Sequence, residues 1–108
     1  MSRYMVQVSY TKEAVAALVK KPEDRTFAVR SLIEAMGGRL LDFYFTFGDY
    51  DVVLIAELPD NIAALATALA AVVPGHVSKT KTTVLLSPEE TVAAMKMAAG
   101  VTLRAPGA

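Results

Sequence analysis

The 108-residue sequence contains no cysteine and only one histidine, His76. The lack of cysteine excludes disulfides, thiolate metal ligands and a cysteine nucleophile. No second metal-binding residue stands at a regular spacing from His76, so a metal site is not indicated. The sequence therefore predicts a protein without a bound metal or cofactor.

Neither sign of charge dominates the chain, because eleven Lys and Arg residues balance eleven Asp and Glu residues. Without a basic stripe, nucleic acid is not expected as a partner. Residues 1–10 lack the apolar core of a signal peptide, and the uncharged stretch 61–73 is too short to span a bilayer. These features predict a cytoplasmic location and no membrane partner.

The chain is short but apolar, with 54% hydrophobic and 20% charged residues. Its length fits one domain, predicted over residues 1–99, followed by a tail at 100–108. For so small a domain, this hydrophobic content suggests that a partner covers part of the surface.

The order of predicted elements is βαββαβ with a further C-terminal helix. Period-two alternation or a continuous apolar run predicts strands near residues 4–10, 41–47, 52–58 and 77–86. Thr11, Asp60 and Ser87 stand where helix caps are expected. This order predicts a ferredoxin-like α+β fold, with a four-stranded antiparallel sheet and helices on one face.

Two apolar stripes are expected to face the core. The stripe predicted on the second strand consists of Leu41, Phe43, Phe45 and Phe47. The stripe predicted on the helix at 61–73 consists of Ile62, Leu65, Leu69 and Val72. The back of that helix is rich in alanine, and we expect the C-terminal helix or another subunit to cover it.

The second face of the sheet needs a cover of its own. It carries polar residues such as Gln7 and Tyr44, together with one apolar face of the third strand. A second subunit that packs sheet to sheet is the simplest cover, so the chain is predicted to form at least a homodimer.

The segment from Phe47 to Asp51 resembles the turn for which the GYD domain family is named. The resemblance extends to Pro22–Arg25, Gly37–Gly38, Phe43–Tyr44 and Thr83–Glu90, and departs where Lys21 replaces the family's usual serine. It implies a fold of the dimeric α/β-barrel kind and no established chemistry.

A second resemblance covers the C-terminal half, through residues 48–51, Asp60, Pro74–Gly75 and Thr80. These look like the effector-sensing domain of leucine-responsive bacterial regulators, which implies binding of small molecules, often amino acids, at subunit interfaces. The preceding helix-turn-helix domain has no counterpart here, so only the sensing function is implied.

The candidate ligand-binding residues form two alternative sites. Tyr50 and Asp51 in the turn, with His76, are expected to border a site between subunits, while Tyr44 and Gln7 are expected inside the barrel. Each has a structural explanation as well, because Gly and Asp suit a tight turn and a wet dimer interface uses the same polar residues.

Three functions remain open from the sequence. The favoured one is a non-catalytic oligomeric module that binds a small-molecule effector or a partner protein at a subunit interface. A cofactor-independent monooxygenase or isomerase is the second, and a structural assembly protein is the third.

Overall fold

The computed structural model of the chain describes residues 1–107. The elements are β1 (Ser2–Tyr10), α1 (Lys12–Lys20), α2 (Thr26–Ala35), β2 (Arg39–Phe45), β3 (Val52–Leu58), α3 (Asn61–Val72), β4 (Val77–Leu85) and α4 (Pro88–Ala99). The four strands form one antiparallel sheet in the order β2-β3-β1-β4. The predicted ferredoxin-like α+β fold is confirmed.

The helices begin at the predicted caps. The side chains of Thr11, Asp60 and Ser87 accept hydrogen bonds from the third residue of α1, α3 and α4, respectively. Glu90 completes a capping box with Ser87, and Pro88 is the first residue of α4. Among residues 1–107, no helix has both the length and the apolar character needed to cross a membrane.

One face of the sheet, called here the helix face, forms the core. The alternate residues Tyr4, Val6 and Val8 of β1 are buried on it. Cross-strand pairing places Val52, Leu54 and Ala56 of β3 beside them, and these are buried as well. The opposite face, called here the open face, contains half-buried residues such as Gln7 and Val53 in the central strands.

The predicted stripe on β2 is partly wrong. Phe43 and Phe45 do share the helix face, because they pair with Leu54 and Val52. An irregularity in the pairing between residues 40 and 42 brings Leu40, rather than Leu41, into the core. Phe47 lies beyond the strand and is fully exposed. A bulge of this kind shifts the alternation by one residue, which a period-two pattern does not reveal.

The predicted core stripe of α3 is also wrong. The side chains of Ile62, Leu65, Leu69 and Val72 are exposed. Ala64 and Thr67 are buried instead, so α3 packs on the sheet through its alanine-rich side. The hydroxyl of Thr67 donates to the Ala63 carbonyl at 2.9 Å, which satisfies its polar group inside the helix. Small side chains therefore separate α3 from the sheet.

The turn between α2 and β2 requires glycine at two positions. Gly37 has φ +83°, a conformation that residues with a Cβ rarely adopt. At Gly38 the backbone passes so close to β3 that an added Cβ would overlap the carbonyl oxygen of Glu57. The turn thereby places β2 directly beside β3.

Gly38→Ala is expected to lower the free energy of unfolding by about 1–3 kcal/mol, because the added methyl group would force the two strands apart. Gly48→Ala is the matched control, since an added Cβ there meets no atom within 4 Å. It should change stability by less than about 0.5 kcal/mol. Urea unfolding of both variants measures the difference, and equal values would contradict the close approach.

Candidate ligand-binding site

Asp51 holds the end of β1 in place where the ladder with β3 finishes. Its amide donates to the Val8 carbonyl at 2.8 Å, and its carboxylate oxygen Oδ2 accepts from the Tyr10 amide at 2.8 Å. Its carbonyl accepts from the Thr46 amide of the adjoining turn at 2.8 Å. Asp51 thus ties β1 and the turn that follows β2 together through three hydrogen bonds.

A bulge in β4, which pairs with β1 on the side away from β3, orients Tyr10. The register with β4 shifts between Ser9, which pairs with Lys79, and Tyr10, which pairs with Val77. The residue between them, Ser78, donates its hydroxyl to the Ser9 and Tyr10 carbonyls at 3.1 and 3.3 Å. Tyr10 continues the helix-face series of β1 and packs against the core.

A cavity of about 180 Å³ lies between the helix face of the sheet, α2 and α3. Its walls are mainly aliphatic, and they include alanines 68, 70 and 71 on α3. Tyr10, Arg25 and His76 also line it. An apolar cavity with a few polar groups is the usual form of a site for a small organic molecule.

A second cavity, of about 430 Å³, lies against α1 and the loop that leads to α2. Tyr10, Arg25 and His76 line this cavity too, together with Lys21 and Glu23. These three shared residues, called here the polar trio, therefore lie where an apolar cavity meets a charged one.

The polar trio offers hydrogen-bond donors and positive charge. Burial raises the pKa of the Tyr10 hydroxyl above its ordinary value, although the Arg25 guanidinium beside it acts in the opposite direction. Tyr10 therefore keeps its proton at neutral pH and remains a donor. Glu23 lies 3.4 Å from Arg25, in an ion pair at the surface.

The start of α2 places Arg25. The Asp24 carboxylate accepts from the Thr26 amide at 2.9 Å and from its hydroxyl at 2.6 Å. The hydrogen bond from the Thr26 hydroxyl is the largest cause of the lowered pKa of the Asp24 carboxyl, and the bond from the Thr26 amide lowers this pKa further. They fix the backbone on both sides of Arg25, which directly precedes the helix.

The structure separates the residues predicted to form a site at the turn. His76 lines both cavities on the helix side, and its carbonyl accepts from the Thr11 amide at 2.9 Å. Tyr50 instead lies under the Lys79 ammonium, 4.9 Å from its ring centroid. Lys79 belongs to the open-face register, so Tyr50 and His76 border different faces. The Asp51 carboxylate accepts a hydrogen bond from the backbone amide of Tyr10.

Tyr44 and Gln7, the alternative pair, do share one row of the open face. Both align with Val53 of the strand between them. Their Cα atoms are therefore about 10 Å apart, two strand spacings. Tyr44 is exposed and Gln7 is half-buried.

Sequence reasoning missed Tyr10 and Arg25. The sequence pattern indicates only a strand residue at Tyr10 and part of a helix-start motif at Arg25. Their approach depends on the bulge at Ser78 in β4, beside the end of β1, and on the loop between two helices. Within residues 1–107, no group of three or more His, Asp or Glu residues could hold a metal ion.

A family model of the GYD domain matches residues 4–95, so the chain belongs to the GYD domain family. This confirms the resemblance seen at residues 47–51. No curated protein matches the sequence.

Solved structures with a TM-score above 0.5 show the same fold at low identity. MtbAldR aligns with a TM-score of 0.55 and 16% identity over 80% of this chain, which spans about half (52%) of MtbAldR. The protein TTHA0845 from Thermus thermophilus aligns with a TM-score of 0.53 and 17% identity, over 81% of this chain and 95% of that one. A transcriptional regulator from Neisseria meningitidis, solved with L-Met, aligns with a TM-score of 0.45 and 21% identity, over 81% of this chain and 51% of the regulator.

Asp51→Ala is expected to destabilise the protein by about 1–2 kcal/mol, because it leaves the Tyr10 amide without its acceptor. Asp51→Asn keeps an acceptor oxygen and should lose less. Amide hydrogen exchange followed by NMR tests the cause directly, since Tyr10 should exchange faster in Asp51→Ala. The control, Asp42→Ala, removes an exposed carboxylate of β2. If Tyr10 exchanges at the wild-type rate in Asp51→Ala, Asp51 does not hold β1.

Proposed function

We propose that this GYD-domain protein is a non-catalytic sensing module that binds a small organic acid with an apolar body. The observation that carries the proposal is the aliphatic cavity beneath α3 with Tyr10, Arg25 and His76 among its lining residues. An aliphatic or aromatic body fits the aliphatic walls. A carboxylate fits a guanidinium beside a phenol that keeps its proton.

The volume limits the size of this ligand. A cavity of roughly 150 Å³ in another protein is large enough for benzene. The 180 Å³ here therefore suits a single ring or a branched chain of similar size. The adjoining charged cavity leaves space for the acid group and for polar substituents.

Sensing rather than turnover is favoured by the chemistry of the polar trio. Arg25 offers a guanidinium and Tyr10 a phenol that keeps its proton, so both suit fixed recognition of an anion. The resemblance of residues 48–82 to effector-sensing domains supports the same choice.

We also propose that the open face joins two copies of the chain, as the sequence predicts. Val53 and Ile55 lie in its central strand, with Met5 and Gln7 in the adjacent strand. The apolar side chains of Val53, Ile55 and Met5 favour a cover on this face. Two copies packed sheet to sheet would enclose Tyr44 and Gln7 between them.

Binding is tested by titrating phenylacetate into the protein by calorimetry, with 2-phenylethanol as the uncharged analogue. The acid should bind and the alcohol should bind at least tenfold more weakly. Arg25→Ala should weaken the acid about 10- to 100-fold, the equivalent of one hydrogen bond to a charged group. Arg30→Ala is the matched control, because Arg30 is an exposed arginine of α2, the helix that Arg25 precedes, and lines neither cavity.

Other results assign the function differently. Binding that survives Arg25→Ala but is lost in Tyr44→Phe would move the site to the open face. If the protein consumes the acid and the His76→Gln variant does not, the result would favour a cofactor-independent enzyme. A panel of ring and branched-chain acids that neither bind nor react would contradict the proposal and favour a structural assembly protein.

Val53→Lys is expected to reduce the mass of the assembly, because it buries a charge between the two sheets. The wild type should sediment as a multiple of the 11.5 kDa chain at micromolar concentration. Ser31→Lys, which adds the same charge at an exposed position of α2, should sediment like the wild type. Sedimentation velocity measures all three, and an unchanged mass for a folded Val53→Lys would exclude the open face as an interface.

A further inference from the structure

The C-terminal helix extends away from the rest of the chain. Every residue of α4 except Thr91 is exposed, and α4 makes no extensive contact with another element among residues 1–107. The chain measures 61 × 33 × 23 Å, and its radius of gyration is 17.7 Å. A compact domain of this length would have a radius of gyration of about 13 Å.

A helix in this position needs a partner to be stable. Helices shorter than about 12–15 residues are marginal in water when nothing packs against them, and α4 has 12 residues. Its exposed side chains include Val92, Met95 and Met97, and the segment after it adds Val101 and Leu103. These residues are more apolar than a solvated arm requires.

The same chain offers a matching apolar surface on α3. Ile62, Leu65 and Leu69 are exposed there, and Val73 is exposed directly after the helix, with 62% of Leu65 and 57% of Leu69 accessible. No charged residue occurs between Asn61 and Val73. An apolar helix could therefore pack on this stripe without burying a charge.

The chain exposes enough surface for a second copy of the chain to cover. The chain exposes 7828 Å², whereas a compact monomer of its mass exposes about 5,800 Å². The excess of about 2,000 Å² per chain is as large as the surface that obligate dimers bury. A small ligand could not cover it.

The connection to β4 opposes docking of α4 on its own α3. Only Leu86 and Ser87 lie between the two elements. Ser87 and Glu90 exchange two hydrogen bonds of 3.0 Å in the capping box, and Pro88 restricts the backbone between them. A short and rigid connection favours exchange with another copy over folding back.

We propose that α4 is an exchange arm that packs on the exposed α3 stripe of a second copy of the chain. Two copies related by a twofold axis would exchange arms reciprocally. This contact buries α3 on the side opposite the ligand cavity. It is separate from the sheet-to-sheet interface, and it does not depend on the proposed ligand.

The absence of cysteine permits a direct test. The Leu65→Cys variant and an isotope-labelled Met95→Cys variant are mixed, dissociated and reassociated, then treated with a short bismaleimide. Mass spectrometry should find the peptide of α3 joined to the labelled peptide of α4. The yield of this cross-linked pair should be at least tenfold higher than in the control. The control replaces Leu65→Cys by Phe47→Cys, which lies at the opposite end of the sheet from the start of α4.

Either of two cross-linking results would overturn the proposal. One is a yield for the Leu65 and Met95 pair no higher than for the control. The other is cross-linking of the diluted Leu65→Cys/Met95→Cys double variant within a single chain, which would show that α4 folds back. Leu69→Glu and Met95→Glu should each lower the sedimenting mass while keeping wild-type circular dichroism. If both keep the wild-type mass, α3 and α4 do not meet between copies.

Discussion

The packing of α3 on the sheet through alanine and threonine determines where the ligand cavity and the exposed apolar stripe of α3 lie. Alanine side chains do not fill the space above the large aliphatic residues of β1 and β3, so a cavity remains beneath the helix. Because the small residues face inward, the leucines face outward. The phenol of Tyr4, buried to 1% exposure, donates to the Asn61 side chain at 2.7 Å and holds the start of the helix in this orientation. One choice of helix face thus yields both a candidate ligand cavity and an exposed apolar stripe.

The turn that names the family contributes to the cavity indirectly. Asp51 accepts from the Tyr10 amide and so ends β1 where Tyr10 can line the cavity. Tyr50, whose ring lies under Lys79, lines neither cavity. The turn is therefore a structural support for a site formed by residues far from it in sequence, among them Arg25 and His76. Its aspartate acts on the backbone, as turn chemistry suggests.

The sequence predicts what depends on local interactions and fails where tertiary packing decides. Thr11, Asp60 and Ser87 cap helices through neighbouring residues, so the element order and the open face with Gln7 and Tyr44 can be predicted correctly. On α3 both sides show helical spacing, and the rule that larger side chains face the core selects the wrong one. The bulge at residues 40–42 has no pattern of its own. His76 is a candidate from the sequence, but its neighbours Tyr10 and Arg25 meet it only through the bulge in β4 and the loop before α2.

We propose that one chain is an incomplete unit, which binds further copies and an organic acid. Native mass spectrometry of gently purified protein tests this proposal, because it reports subunit number and retained small molecules together. We expect an assembly whose mass is a multiple of 11.5 kDa, with an additional small mass released as an anion on activation. A bare 11.5 kDa monomer at micromolar concentration would contradict it.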